Sequence, residues 1–383
     1  MKVSITGNEA VSYGVMLARV KVISAYPITP QTTIVEELSK FCADGRLDAD
    51  FVKVESEHSA MACCVGAASS GVRTFTATSS HGLLFMHEVL HWAAGARLPI
   101  VMTNSNRAIG APWYIRCDQN DSLSQRDTGW IQLYCEDNQE VMDTIIQAYR
   151  VSEKVLLPCM VMLDGFFLSH TTEVVEILSQ ELVDKYLPPY KPKYKLDIEN
   201  PHSFCGTCSP VPKAYFNFRY HLQQAMEDVG NSLREADEEF YQVFGRKYGL
   251  LEEYRCDDAK IVLVTSGTIT STAREIIDEI NEEGRRVGLV KIKMFRPFPT
   301  EEVIHSLTRY DKVVVIDRNI SFGKGGIFAS EIKSALYHQK EKPIVFGFVA
   351  GLGGVDVTPA LIRRIIQYAV ENEMPASDII WAS

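Results

Sequence analysis

The chain has 383 residues, 46% of them hydrophobic, which is enough to bury a sizeable core and to build two or three domains. Its formal charge of −10, from 39 basic and 49 acidic residues, argues against nucleic acid or an anionic membrane as the main partner. No apolar run approaches the roughly 20 residues of a spanning helix, and the opening MKVSITGNEAV lacks a signal peptide's apolar centre, so a cytoplasmic protein without membrane contact is expected.

In chain order, the helix-like EAVSYGVMLARV precedes VISAYP, a strand that runs into the loop YPITP. Pro27 and Pro30 fix their own φ and push the preceding residue toward extended geometry, so this loop should be stiff and non-helical. Strand candidates ADFVKVE, VRTFTATS, LPIVMTN, IQLYCE and PCMVMLDG follow, separated by the helical EHSAMACCVGAA, GLLFMHEVLHWAAG and NQEVMDTIIQAYRVSE. This rhythm predicts an α/β domain over residues 1–185, a mostly parallel sheet with helices on both faces. Residues 186–250 should be a connector. Six of the sixteen prolines fall in 186–212, and an amphipathic stretch runs from about Tyr215 to Val243. From residue 251 to 383 a second, smaller α/β series appears, with AKIVLVTSG, RVGLVKIKM, KVVVID and PIVFGFV as strands. Ligands of such sheets sit at the carboxyl ends of strands, where YPITP, VESEH, TATSSHG and NSNRAIG would converge.

Several short motifs carry less than they suggest. The nine cysteines are odd in number and mostly lie in apolar segments, as reduced, packed thiols do. Only Cys205 and Cys208 have CxxC spacing, with no second pair to complete a four-thiolate metal site, and their role stays open. His87 to His91, HEVLH, fits a zinc-protease pattern, but no third ligand follows at a familiar spacing and an ordinary packed helix is expected. There is no G-x-G-x-x-G after a strand and no phosphate-binding P-loop. FGKGGIF and GLGG read as tight turns.

Taken together, YPITPQT, VESEHSA, FTATSSHGL, NRAIGAP, RDTGWIQ, MLDGFFLSH, VDKYLPPYKP and GLGGVDVTP resemble the alpha subunit of pyruvate:ferredoxin oxidoreductase, in the multi-subunit 2-oxoacid:ferredoxin oxidoreductase family. The resemblance runs from residue 3 to about residue 370. It implies a thiamine-diphosphate pyrimidine-binding domain followed by a domain like the carboxyl-terminal one of transketolase. The implied reaction is oxidative decarboxylation of a 2-oxoacid, pyruvate first, to acyl-CoA and CO2, with electrons passed to ferredoxin, or the reverse. Branched-chain and 2-oxoglutarate enzymes remain alternatives, as do a lipoamide-linked dehydrogenase beta chain and a non-catalytic scaffold.

The resemblance also assigns residues. Glu57 would hydrogen-bond the cofactor's pyrimidine N1′ and favour the imino tautomer that deprotonates the reactive carbon. Its local alternative is a helix-terminal carboxylate behind Ser56, with Glu55 as rival for the catalytic role. Arg107 would hold the substrate carboxylate through two coplanar N–H bonds, and Thr29 would supply a hydroxyl. The chain has ADGR and LDGF but no GDG motif, and no grouped cysteines. Diphosphate and Mg2+ are therefore expected on a beta subunit, and [4Fe–4S] clusters on other partners, gamma and ferredoxin-like delta subunits completing the complex. Coenzyme A would be a cosubstrate.

Overall fold

The computed structural model describes residues 1–204 and 211–383, so Cys205 and Cys208 lie outside the described residues. The chain begins β1 (Lys2–Thr6), α1 (Gly7–Leu17), β2 (Val22–Ala25), α2 (Thr32–Ala43), β3 (Asp50–Lys53) and α3 (Glu57–Ser69). Then come β4 (Thr74–Thr78), α4 (Ser80–Phe85), α5 (His87–Gly95), β5 (Val101–Asn106), α6 (Asn120–Leu123) and β6 (Ile131–Tyr134). The first half closes with α7 (Asn138–Val155), β7 (Cys159–Asp164), β8 (Thr172–Glu176) and α8 (Gln180–Tyr186). Two helices, α9 (Pro212–Glu227) and α10 (Val229–Phe244), lead into the second half. This runs β9 (Leu251–Tyr254), β10 (Ile261–Thr265), α11 (Ile269–Glu282), β11 (Val287–Ile292), β12 (Met294–Arg296) and α12 (Thr300–Leu307). It ends β13 (Lys312–Asp317), α13 (Ile327–Leu336), β14 (Ile344–Val349), α14 (Pro359–Glu371) and β15 (Ile380–Trp381).

The seven-stranded sheet has the order β12-β6-β7-β5-β4-β2-β3, parallel throughout except for β12. Its central strands are buried on both faces, which suits their unbroken β-branched and apolar runs. Because they are parallel, the loops after β2, β3, β4, β5 and β7 all open on one edge. The second sheet, β15-β14-β13-β10-β11-β9, is parallel except for β9. The predicted α/β class with two successive sheets is thus the one observed.

Four local expectations need correction. GLLFMHEVLHWAAG is two helices, breaking at the fully buried Met86. The stretch from Tyr215 to Val243 is likewise two, parted at Asp228. The opening KVSIT, unassigned from sequence, pairs antiparallel with TEVVE to form a separate two-stranded ribbon. The run RVGLVKIKM serves both domains: β11 joins the second sheet, whereas β12 crosses over and pairs with β6 of the first.

That crossover explains how the halves are joined. Trp130, Tyr134, Phe295, Phe328, Val262 and Val313 belong to one continuous apolar cluster drawn from both. Each large side chain buried there contributes roughly 1.5–3 kcal/mol, so the apolar contact alone holds the interface. A buried ion network sets its register. Lys291 Nζ lies 2.9 Å from Glu136 and 2.8 Å from Glu140, and Lys293 Nζ lies 2.9 Å from Glu140 and 2.7 Å from Thr144 Oγ1. Burial alone would raise the Glu140 carboxyl, but the two ammonium groups outweigh it and bring it down to about 2.

Candidate active site

Glu57 is the first residue of α3, whose amino end is capped by Ser56 Oγ accepting from Ser59 N at 3.2 Å. The side chain is buried, 8% exposed, and no described residue hydrogen-bonds or ion-pairs with its carboxylate. Its oxygens are not closed off from solvent, so the unpaired carboxylate is open to a ligand's donor. Glu55, by contrast, is exposed and takes the Ser59 hydroxyl at 2.6 Å. The geometry separates the two acids that the sequence left as rivals.

The YPITP loop is non-helical, closed by Gln31 Nε2 donating to Tyr26 O at 2.8 Å and tied to α1 by Asn8 Nδ2 donating to Pro30 O at 2.7 Å. The Thr29–Pro30 bond is cis. Arg107 follows β5 and is 4% exposed, and its Nη1 donates to Thr29 O at 2.6 Å. The loop therefore holds Arg107 through a backbone carbonyl, while the Thr29 side chain is exposed. Arg107 Nε is buried without a partner. The Nε–Nη2 edge of the guanidinium is thus free to take a carboxylate in one plane. Burial lowers its pKa and nearby Asp121 opposes that shift. The Trp113 ring lies 5.4 Å from the guanidinium carbon.

One residue that sequence reasoning missed organises this edge. Asp121, fully buried, accepts from Ser80 N at 2.9 Å, Asn104 Nδ2 at 2.9 Å, Asn106 Nδ2 at 2.7 Å, Arg107 N at 3.1 Å and Ser122 N at 2.8 Å. It ties the loop after β4 to the loop after β5. It sits in the polar stretch RCDQNDSLSQRD, where composition alone suggests solvent. Its neighbour Asp118 is pushed up to about 7 by burial and by Asp121.

The glycine-rich FGKGGIF is a turn without an open anion site, because the adjacent helix end is filled from within. Asp317 takes the N–H groups of Phe328 at 2.9 Å and Ala329 at 3.1 Å, and Asn319 Oδ1 takes that of Ile327 at 2.8 Å. In LDGF, a Cβ on Gly165 would fall 2.3 Å from Asn106 O and 2.9 Å from Pro30 Cγ, so this glycine lets β7 close against the site loops. In HEVLH, His87 Nδ1 lies 2.6 Å from Gln125 Oε1 and the His91 ring meets His87 edge-on at 4.9 Å. Among the described residues no group of three or more His, Cys, Asp or Glu could hold a metal ion. No helix of the described residues is long and apolar enough to cross a membrane.

A carboxylate without an internal partner at the edge of a parallel sheet, backed by a docked second α/β domain, is an arrangement compatible with a thiamine-diphosphate-binding fold. Residues 13–238 match the model of the pyruvate flavodoxin/ferredoxin oxidoreductase thiamine diphosphate-binding domain, and residues 259–362 match that of pyruvate:ferredoxin oxidoreductase core domain II. The chain belongs to the 2-oxoacid:ferredoxin oxidoreductase family, as an alpha subunit.

It is similar to the pyruvate synthase subunit PorA of Methanothermobacter thermautotrophicus, 51% identical over 98% of this chain and 97% of that protein. It is also similar to the ketoisovalerate oxidoreductase subunit VorA of Pyrococcus abyssi, 47% identical over 96% and 93%. Among solved structures it superposes on a 2-oxoglutarate:ferredoxin oxidoreductase from Magnetococcus marinus with 2-oxoglutarate, coenzyme A and succinyl-CoA bound, TM-score 0.75 at 21% identity. That match covers 96% of this chain and 65% of the other, so the neighbour extends well beyond the shared part. A split-gene transketolase, an inactive beta4 tetramer, aligns with TM-score 0.56 at 14% identity, covering 96% of this chain and 99% of that one. Both likenesses concern the fold.

Proposed function

We propose that this chain supplies the pyrimidine-binding and substrate-orienting half of a pyruvate:ferredoxin oxidoreductase active site, and that it works only in a hetero-oligomer. The observation that carries the reading is the buried Glu57 carboxylate with no internal partner. Thiamine diphosphate, when bound, would supply a nucleophilic carbon and an electron sink for decarboxylation, and Glu57 would hold its pyrimidine end. Glu57 hydrogen-bonds the pyrimidine N1′ and so favours the tautomer able to accept the reactive carbon's proton. Arg107 holds the substrate carboxylate on its free Nε–Nη2 edge, with Nη1 anchored on Thr29 O. The Thr29 hydroxyl lies at the same loop and is assigned to substrate. Asp121 accepts from the Arg107 N–H and ties that loop to the one after β4, which steadies the substrate-binding side of the site.

The remaining parts belong to partners in this reading. Mg2+ and the cofactor's diphosphate are held by a beta subunit, and [4Fe–4S] clusters lie on a ferredoxin-like delta or other subunit alongside gamma, passing electrons to ferredoxin. Coenzyme A is the acyl acceptor, as the acyl-CoA-bound neighbour suggests. All seven described cysteines are free thiols, which suits the cytoplasm. In Cys135, burial raises the thiol to about 12, so it serves packing rather than ligation.

Pyruvate is the proposed substrate because the PorA relative is the more similar of the two classes above. Viologen reduction by the assembled complex should be fastest, by kcat/KM, with pyruvate among pyruvate, 2-oxoisovalerate and 2-oxoglutarate. Preference for either of the others would replace the substrate while leaving the half-site reading in place.

A further inference from the structure

Gly82 is the third residue of α4, in the loop region that follows β4. Its backbone is helical rather than left-handed, so the fold does not demand glycine there; a helical glycine is in fact roughly 0.5–1 kcal/mol worse than alanine. Space is what excludes a side chain. A Cβ at Gly82 would lie 2.5 Å from Glu57 Oε1, 2.6 Å from Thr78 Oγ1 and 2.9 Å from Glu57 Cγ. Two other helical glycines provide the contrast: at Gly66 and Gly95 a Cβ would meet nothing within 4 Å.

The surroundings of Gly82 give way on one side only. Thr78 is a β-branched residue on a fully buried strand and has little rotamer freedom. The turn carrying Gly82 is pinned by Ser80 N donating to Asp121 at 2.9 Å and Ser80 Oγ donating to Ala108 O at 2.6 Å. Neither Thr78 Oγ1 nor the Glu57 carboxylate makes a hydrogen bond, but the longer Glu57 side chain has more torsions with which to swing. A methyl group at position 82 would therefore press on both the Thr78 hydroxyl and the Glu57 carboxylate, and the carboxylate, on the longer side chain, is the group that moves furthest.

We propose that Gly82 is a positioning residue for the reaction: the volume it leaves empty is the seat that aims the Glu57 carboxylate at the cofactor's pyrimidine. The inference rests on the catalytic reading of Glu57 and adds to it a residue that touches neither substrate nor cofactor. A misplacement on the scale of 1 Å at such a group costs about a hundredfold in rate.

The test compares Gly82→Ala, Gly66→Ala and Glu57→Gln in the assembled complex loaded with thiamine diphosphate and magnesium. Three quantities are read: thermal midpoint, kcat and KM for pyruvate, and the near-ultraviolet dichroism of the bound cofactor's pyrimidine. Gly82→Ala should keep its KM, lose at least about tenfold in kcat and change the pyrimidine signal in the direction that Glu57→Gln does, whatever the clash with Thr78 takes from its thermal midpoint. Gly66→Ala should match the parent throughout. Should Gly82→Ala fail to assemble, the Thr78→Ala/Gly82→Ala double variant replaces it, since it removes the Thr78 hydroxyl 2.6 Å from the new methyl and leaves the Glu57 contacts at 2.5 and 2.9 Å. Parent-like turnover and dichroism in the alanine variant, beside an impaired Glu57→Gln, would overturn the role of Gly82 alone. A fully active Glu57→Gln would remove the catalytic reading and the positioning role with it.

Discussion

Replacing Glu57 with glutamine is expected to slow 2-oxoacid turnover by the assembled complex at least about a hundredfold, the low end of what a positioned acid–base group contributes. Stability should barely change. The carboxylate makes no internal hydrogen bond, and glutamine has nearly the same shape, so no contact is broken. The only structural term at risk is the favourable charge at the amino end of α3, worth roughly 0.3–1 kcal/mol. Catalytic and structural roles thus predict opposite patterns: a large rate loss at constant melting temperature, or a small melting shift at constant rate. Steady-state viologen reduction and thermal unfolding of the same preparation decide between them, and near-normal turnover would withdraw the assignment.

The largest expected effect on folding lies elsewhere, at Glu140. Glu140→Gln keeps one amide oxygen as an acceptor but removes the carboxylate that pairs with Lys293 and one of two close carboxylates from Lys291, all deep in the interface between the domains. Removing one partner of a buried ion pair costs roughly 3–5 kcal/mol because the other charge stays desolvated. The exposed pairs of Arg363 with Glu279 and Glu283 should contribute little, because solvent screens them, so Arg363→Ala is the control. The pH dependence has a definite sign. The Glu140 carboxyl is held at about 2, below its ordinary 4.5, so its contribution is complete above about pH 4.5 and drains away as the pH falls toward 2. Urea unfolding of the chain across that window should show the loss in the parent and lack that component in Glu140→Gln. Equal stability of the two proteins at pH 7 would mean that the network is relieved by water and does not bear on the interface.

The alternation of β-branched runs with helical segments made the two sheets legible, since KVVVID or IVLVT suits a strand buried on both faces and little else. What stayed hidden was set by tertiary contacts. KVSIT is mostly exposed along β1 and carries no buried-strand signature, because its pairing with TEVVE lies outside both main sheets. In KIKMFR nothing local says that the chain leaves one sheet for the other, which is decided by packing of Phe295 against Tyr134 and Phe328. Glu57 and Arg107 are assigned through motif resemblance, whereas Asp121 had no such signal, since an aspartate in a polar loop looks solvated until the chain folds over it. Gly82 had a signal that could have been read: a glycine inside a helix-like run, where alanine would be preferred locally, points to a close neighbour.

The central claim is that this chain holds only the pyrimidine end of the cofactor. Carboxylate chemistry at Glu57 engages that end, while a diphosphate needs a metal and oriented donors at the other. Calorimetric titration of the isolated, monodisperse chain with thiamine diphosphate and magnesium, repeated after addition of the partner subunits, tests this directly. The account predicts no saturation at micromolar cofactor for the chain alone, and micromolar binding with pyruvate-dependent viologen reduction once the complex is assembled. Micromolar binding together with turnover by the isolated chain would contradict it.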